Sequence, residues 1–229
     1  MKILYLDQYI VVCEKPSGTL SEGEGENALP TMLSRKLAEL GEKNTAIFPV
    51  HRLDRDTVGV TVYARTATAA AALSAAITGG LFKKQYLAVV CGMPEESGGT
   101  FTDLLYYDRK RGKSFVVDRE RKGVKSATLD YTLLQTVNGL SLVSVTLHTG
   151  RTHQIRVQFA SRGLPLAGDR RYGAPKDAAA SIALCAHRLS FPHPKTRQIM
   201  TFTADIPNCL PWTFFSTKHL TTVSQNDII

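Results

Sequence analysis

The sequence from 147 to 173, LHTGRTHQIRVQFASRGLPLAGDRRYG, joins an apolar strand to a short helix and then to a basic turn. The strand is expected to end at Gly150, and a helix can begin at Thr152 and stop at Gly163. Because strand and helix meet within three residues, the pattern predicts a sharp corner whose side chains are held in fixed positions.

Arg151 lies at this corner, beside the N-terminus of the predicted helix. Free backbone N–H groups at a helix start and a guanidinium both attract an anion. A phosphate or the carboxylate of Asp54 would fit this position. Helix capping beside one exposed arginine explains the spacing equally well, so both interpretations stay open.

Residues 51–59, HRLDRDTVG, form a second concentrated polar segment just before a predicted strand. Asp54 lies between Arg52 and Arg55, and nearby positive charge favours the carboxylate form. Such a carboxylate is a poor general base but a usable nucleophile or cation stabiliser. An ordinary surface cluster of ion pairs is the alternative interpretation of this segment.

The chain of 229 residues has 28 Lys plus Arg against 20 Asp plus Glu, a net charge of +8. This surplus makes a polyanion the first partner to consider. Basic segments with aromatic neighbours, suited to hold a nucleic-acid backbone and stack a base, occur at 83–84, 109–125 and 168–173, where Arg170, Arg171 and Tyr172 lie. We expect these residues to share one face with Asp54, although a solvated hairpin also explains 109–125.

Several classes of protein are disfavoured by what the sequence lacks. No run of 18 apolar residues predicts a membrane span, and the first residues do not resemble a secretion signal. The cysteines Cys13, Cys91, Cys185 and Cys209 are far apart, which favours free thiols over a zinc site. We therefore expect a cytoplasmic, monomeric protein without a metal.

The pattern of short apolar runs predicts about eight strands and few helices. Strands are expected at 9–13, 59–64, 85–91, 114–117, 127–137, 140–147, 182–191 and 198–202, and helices at 29–40, 66–77 and 152–162. These elements indicate an α+β fold with a mostly antiparallel central sheet flanked by a few helices. Without an internal linker, one domain is expected over 1–220, followed by a flexible tail at 221–229.

Four strings in this order resemble the RluA-type branch of the pseudouridine synthases. They are HRLDRDTVG at 51–59, KQY at 84–86 with Gly92 after it, the long string at 147–173, and AHRLSFPHP at 186–194. Val58 stands where this family usually has Ser, and Cys185 where it usually has His. The resemblance implies the pseudouridine synthase catalytic fold, with two lobes and an active-site cleft across the sheet. Many members of the family carry a small N-terminal RNA-binding domain, which we do not expect here because the first predicted strand begins within the first dozen residues.

The resemblance also implies an activity, the isomerisation of uridine in ribosomal or transfer RNA to pseudouridine without a cofactor or metal. It assigns the nucleophile to Asp54, stacking on the uracil to Tyr86, and the cation that pairs with Asp54 to Arg151. Arg52 would fill the gap left by a flipped base. The remaining substrate-binding candidates are Arg55, Thr57, Ile155, Leu184, Arg170 and Tyr172, whereas His51, His153 and Arg156 are expected to be structural.

Two other functions stay open from the sequence. The fold could serve as an RNA-binding module that has lost its chemistry, although the complete set of Asp54, Tyr86 and Arg151 speaks against this. A metal-assisted hydrolase would use His51, Asp54, His148 and His153. No H-E-x-x-H or paired-acid spacing supports the hydrolase.

Overall fold

The computed structural model describes residues 1–216, so the tail predicted at 221–229 lies outside the described residues. Within them the chain forms eleven strands and three α-helices. The strands are β1 (Ile3–Leu6), β2 (Ile10–Lys15), β3 (Phe48–Pro49), β4 (Val58–Ala64), β5 (Lys83–Cys91), β6 (Gly98–Asp108), β7 (Lys113–Val117), β8 (Val124–Val137), β9 (Leu140–Leu147), β10 (Leu184–Pro192) and β11 (Ile199–Thr203). The helices are α1 (Leu29–Glu39), α2 (Ala67–Thr78) and α3 (Gln154–Ala160). Over the same residues, no helix has the length and apolar character required to cross a lipid bilayer.

All strands belong to one sheet, in the order β1-β2-β4-β10-β5-β9-β8-β6-β7, with β3 on β4 and β11 on β10. Among the described pairs, β4 and β10 are parallel, with Val58 opposite Cys185, and the others are antiparallel. Two parallel strands begin at the same edge of a sheet. The loop before β4 and the start of β10 are therefore neighbours, although they are far apart in sequence.

Strand β5 separates the two main apolar clusters because its side chains alternate between the faces of the sheet. Leu87 and Val89 pack into the cluster that includes α2, whereas Tyr86, Ala88 and Val90 pack into the cluster that includes α3. The period-2 pattern of this strand thus decides that Tyr86 faces α3.

The predicted α+β class and mostly antiparallel sheet are confirmed, and the differences lie in single elements. Strand β6 was not predicted, because Gly98–Asp108 is mostly half-exposed and begins with two glycines. Its pairing with β8, from Gly98 opposite Thr132 to Tyr106 opposite Val124, supplies the stabilisation that the local sequence lacks. Helix α3 begins two residues later than predicted.

A buried lysine holds the loop before β4 in place. Lys15 is 1% exposed, and its ammonium donates hydrogen bonds to the backbone oxygens of Pro16 (3.0 Å), Arg55 (2.6 Å) and Thr57 (2.9 Å). The Ser21 hydroxyl donates to Leu53 O and accepts from Leu53 N–H, at 2.8 and 3.0 Å. Both sides of Asp54 in the sequence are therefore attached to the fold.

We predict that Lys15→Met destabilises the protein. The substitution keeps an apolar stem but leaves three buried carbonyl groups without this donor, so the free energy of unfolding should fall by roughly 2 kcal/mol or more. Urea unfolding measures the change. Lys36→Met on α1, where the lysine is exposed, is the matched control and should change the value by less than about 0.5 kcal/mol. Equal stability of the two variants would contradict the prediction.

Candidate active site

A cleft of about 800 Å³ opens where the loop before β4, the start of β5 and the corner between β9 and α3 meet. Seven of the predicted site residues line this cleft: Arg52, Asp54, Thr57, Tyr86, Arg151, Ile155 and Leu184. Arg55, Arg170 and Tyr172 are not among its lining residues. The sequence motifs therefore converge on one cavity, with three predicted members outside it.

The sheet register explains this convergence. Asp54 lies four residues before Val58, which is opposite Cys185 at the start of β10. Tyr86 lies on β5, which pairs with β10 on one side and with β9 on the other. The strand pairing thus brings three chain segments from distant parts of the sequence to the same edge.

Asp54 is held by Arg156, on the first turn of α3. Arg156 Nη1 donates to Asp54 Oδ2 at 3.1 Å. The same guanidinium donates from Nε and Nη2 to the two carboxylate oxygens of Asp169, at 2.6 and 3.0 Å. Asp169 is 1% exposed, so one buried cation bridges two carboxylates.

The predicted pairing of Arg151 with Asp54 is wrong in this structure. Arg151 lines the cleft, but its Nε donates to the backbone oxygen of Ser126 at 2.8 Å. The backbone explains the difference, because Gln154 accepts the Arg151 N–H through Oε1 at 3.0 Å and closes the corner before the helix begins. Arg156 therefore takes the place beside Asp54 that was expected for Arg151.

His153 occupies a strained position at the N-terminus of α3. Its φ of 56° lies in the left-handed region, which costs energy for a residue other than glycine. Nδ1 is 3.0 Å from the Tyr172 hydroxyl, and Nε2 is 3.9 Å from Asp54 Oδ2. The Tyr172 hydroxyl also accepts Ser114 N–H at 2.8 Å. In the tautomer in which this hydroxyl donates to Nδ1, the proton on Nε2 faces Asp54.

Tyr172 packs against Arg156 and His153, two residues that contact Asp54. Its ring is buried and lies under the Arg156 guanidinium, 5.1 Å from the ring centre, while the Lys113 ammonium lies 4.9 Å from the same ring. Arg170 is exposed in the one-turn 3-10 helix Arg170–Tyr172. Tyr172 thus contacts both Arg156 and His153, and its predicted contact with a substrate stays a prediction.

Tyr86 forms part of an apolar wall of the cleft. It is 6% exposed and packs in one buried cluster with Leu53, Ile155 and Leu184. Burial, with a smaller contribution from the charge of Asp54, raises the pKa of the Tyr86 hydroxyl well above its usual value. The phenol therefore stays protonated at neutral pH beside the Asp54 carboxylate.

The other predicted residues of the loop have distinct environments. Arg52 is exposed at the cleft and forms an ion pair with Glu22. Arg55 is exposed outside the cleft, and its Nε donates to the Asp56 carboxylate at 3.2 Å. Thr57 is buried, and its N–H donates to Asp54 O at 3.1 Å, which closes the turn that presents Asp54.

The basic residues were predicted to share one face with Asp54, and the structure shows this for some of them. Arg52, Lys83, Lys84 and Arg151 line the cleft. Arg171 Nη1 donates to the backbone oxygens of Gly112 and Arg111, at 2.6 and 3.2 Å, and so ties the turn at 168–173 to the hairpin of β6 and β7. That residues 119–125 belong to the same face stays a prediction.

Sequence reasoning missed Lys15 and Asp169 and underestimated Arg156. For Arg156 a usable signal was present, since the residue follows Ile155 on the first turn of a helix whose side chains were expected in the site. No three His, Cys, Asp or Glu side chains come together as potential metal ligands within residues 1–216.

Comparisons with known proteins match this architecture. The family model described as RNA pseudouridylate synthase matches residues 9–161. An uncharacterized RNA pseudouridine synthase of Bacillus subtilis (strain 168) is 33% identical over 213 residues, which is 90% of this chain and 69% of that protein. Ribosomal large subunit pseudouridine synthase D of Nitrosomonas europaea is 33% identical over 220 residues, 91% of this chain and 62% of that protein. The structure of human RNA Pseudouridylate Synthase Domain Containing 4 has a TM-score of 0.76 and 24% identity, covering 90% of this chain and 89% of that one. The last comparison confirms the predicted fold.

We predict that Arg156→Met destabilises the protein much more than Arg151→Met. The first substitution leaves the buried Asp169 carboxylate without its cation, which costs about 3–5 kcal/mol. The second removes one bond to a backbone oxygen and should cost roughly 1 kcal/mol. Urea unfolding of both variants measures the difference, and adding Asp169→Asn to Arg156→Met should recover part of the loss. Similar stabilities of the two single variants would show that the bridge is unimportant.

We also predict that acid lowers the stability through buried histidines. Burial lowers the pKa values of His51, His153 and His187 below the ordinary 6.5. The unfolded chain therefore binds protons near pH 6.5 that the folded chain does not, and stability present above pH 6.5 is lost as the pH falls. Each histidine contributes up to about 1.4 kcal/mol per pH unit. Urea unfolding between pH 7.5 and 5.5 should show a smaller slope for His153→Asn, since Asn tolerates the left-handed backbone. A wild-type slope in His153→Asn would contradict the prediction.

Proposed function

This chain belongs to the RNA pseudouridylate synthase family, and on that premise we propose that it isomerises uridine in RNA to pseudouridine. In this reaction the bond from N1 of uracil to C1′ of ribose breaks, the uracil turns, and a bond from C5 to C1′ forms. One proton leaves C5 and one is gained at N1. Nothing is oxidised or reduced, so the side chains need to supply only binding, a nucleophile and proton transfer.

The observation that carries this proposal is the position of Asp54, an ion-paired carboxylate beside an apolar wall. Arg156 orients one carboxylate oxygen at 3.1 Å, while Tyr86, Ile155 and Leu184 line the same cleft. In this proposal the uracil lies on the apolar wall and Asp54 attacks the sugar or assists departure of the base. Tyr86, kept protonated by burial, stacks on the uracil and is available as a proton donor.

Extrusion of the target nucleotide is part of the proposal, because the cleft is a recess rather than a flat surface. Flipping a base costs a few kcal/mol, which a stacked guanidinium can partly offset. In this proposal Arg52, which is exposed at the cleft and paired with Glu22, fills the gap. Arg151, which has no carboxylate partner among the described residues, is available for a backbone phosphate.

We infer that the substrate is ribosomal RNA, with transfer RNA as the alternative. The name of the Nitrosomonas relative supports ribosomal RNA, although this chain spans only 62% of that protein. The net charge of +8 and the hairpin tied to Arg171 support a polyanionic substrate of either kind. Four cysteines without disulfides are in keeping with a cytoplasmic location, where we propose that the protein acts as a monomer.

We predict that Asp54→Asn abolishes pseudouridine formation. The substitution preserves size but removes the nucleophile, so the rate should fall by roughly a thousandfold or more. Purified protein is incubated with unmodified ribosomal and transfer RNA, and pseudouridine is measured by mass spectrometry. Asp56→Asn, two residues away, is the matched control and should retain activity. Activity in Asp54→Asn would reject the nucleophile, and RNA binding without product in the wild type would favour the binding-module alternative.

A further inference from the structure

The part of the cleft around Phe82, its second end, takes no part in the chemistry proposed at Asp54. This end is lined by Pro49, Val50, His51, Ile77, Gly80, Phe82, Lys83 and Lys84. The acidic residues that line the whole cleft are Glu22 and Asp54, and both are paired with arginines. The second end is therefore apolar and cationic, with no acid of its own.

Lys84 is the half-buried cation of this end. It lies two residues before Tyr86 on β5, so both side chains leave the same face of the strand, about 7 Å apart along it. Within residues 1–216 the Lys84 ammonium forms no hydrogen bond or ion pair, and it lies 6.0 Å from the centre of the Phe82 ring. Burial lowers the pKa of Lys84, and no acidic group counteracts this effect. A dehydrated ammonium without a counter-charge is costly unless a ligand supplies one.

His51 provides a second, independent sign of a missing partner at the same place. Its Nε2 accepts Val62 N–H at 3.2 Å, so the ring proton of the neutral imidazole is on Nδ1. Nδ1 is buried and has no hydrogen-bond partner among the described residues. The Lys84 ammonium lies 6.0 Å from the centre of the Phe82 ring, and His51 packs against the same ring, so the two groups are neighbours. The His51 ring packs edge-on against Phe82, 5.9 Å between centres.

Together these groups define the chemistry of the absent ligand. An ammonium and an N–H donor both lack an acceptor, and the ammonium also lacks a negative charge. A nucleobase carbonyl would satisfy a donor but leave the charge uncompensated. A phosphate oxygen satisfies both requirements.

We propose that Lys84, with His51 beside it, forms a phosphate subsite that binds a phosphodiester of the RNA strand next to the target uridine. This proposal rests on the proposed function, since an RNA strand brings the phosphate. The subsite is separate from the Asp54 centre, and the shared face of β5 couples them. A phosphate bound at Lys84 fixes the strand relative to the base that lies on Tyr86.

The first test is the salt dependence of RNA binding by Lys84→Met, Lys84→Arg and the wild type. Loss of one phosphate contact to a single strand should reduce the slope of log affinity against log salt concentration by about 0.7, with affinity roughly tenfold lower at low salt. Lys84→Arg should restore both values. Lys195→Met, in the exposed turn after the far end of β10, removes the same charge and should keep the wild-type slope. A wild-type slope in Lys84→Met, or weaker binding without a change of slope, would overturn the proposal.

The second test locates the phosphate in the RNA. A short RNA that the wild type modifies is synthesised with an uncharged methylphosphonate on the 5′ or the 3′ side of the target uridine. One of these positions should weaken binding to the wild type about as much as Lys84→Met does, and should weaken Lys84→Met no further. Fully additive losses at both positions would refute the subsite. Absence of pseudouridine in every RNA tested with the wild type would instead reject the proposed function, independently of the salt slopes.

Discussion

The Arg156 guanidinium connects the fold to the candidate active site, because it binds the buried Asp169 and the cleft residue Asp54 at the same time. Its bidentate pair with Asp169 ties α3 to the turn that follows it, and its remaining Nη1 reaches Asp54 on a loop that enters β4. A buried cation with two carboxylate partners tolerates little displacement, because each lost bond leaves a charge unpaired. The position of Asp54 is therefore set by the same contact that holds the helix.

The sequence was informative wherever the relevant pattern was local. The alternation on β5 and the strings around Asp54 and Tyr86 placed both residues in one cleft, and the α+β class followed from short apolar runs. Two features could not be read in this way. Strand β6 depends on its pairing with β8, and Arg151 was placed against Asp54 although the turn closed by Gln154 directs it elsewhere. Both outcomes depend on tertiary contacts. Such contacts produce no regular spacing of apolar residues from which the sequence could predict them.

The excess of positive charge takes on a specific meaning when the partners of each cation are considered. Arg52, Arg55 and Arg156 are matched by acids, so their charges are mostly compensated within the protein. Lys84 and Arg151 line the cleft without a carboxylate partner among the described residues. Local compensation, rather than the total of +8, decides where a polyanion gains most from binding.

An arginine is required at position 156 for a geometric reason. Its planar fork offers separate N–H groups in fixed directions, so Asp169 can take two of them while a third remains for Asp54. A lysine ammonium donates from one atom, so it could not form the bidentate pair with Asp169 from two separate nitrogens while a third reaches Asp54. Within residues 1–216 only Oδ2 of Asp54 accepts a side-chain hydrogen bond, which leaves Oδ1 unengaged. A carboxylate oriented through one oxygen, with the other free, supports the nucleophilic role that we propose for Asp54.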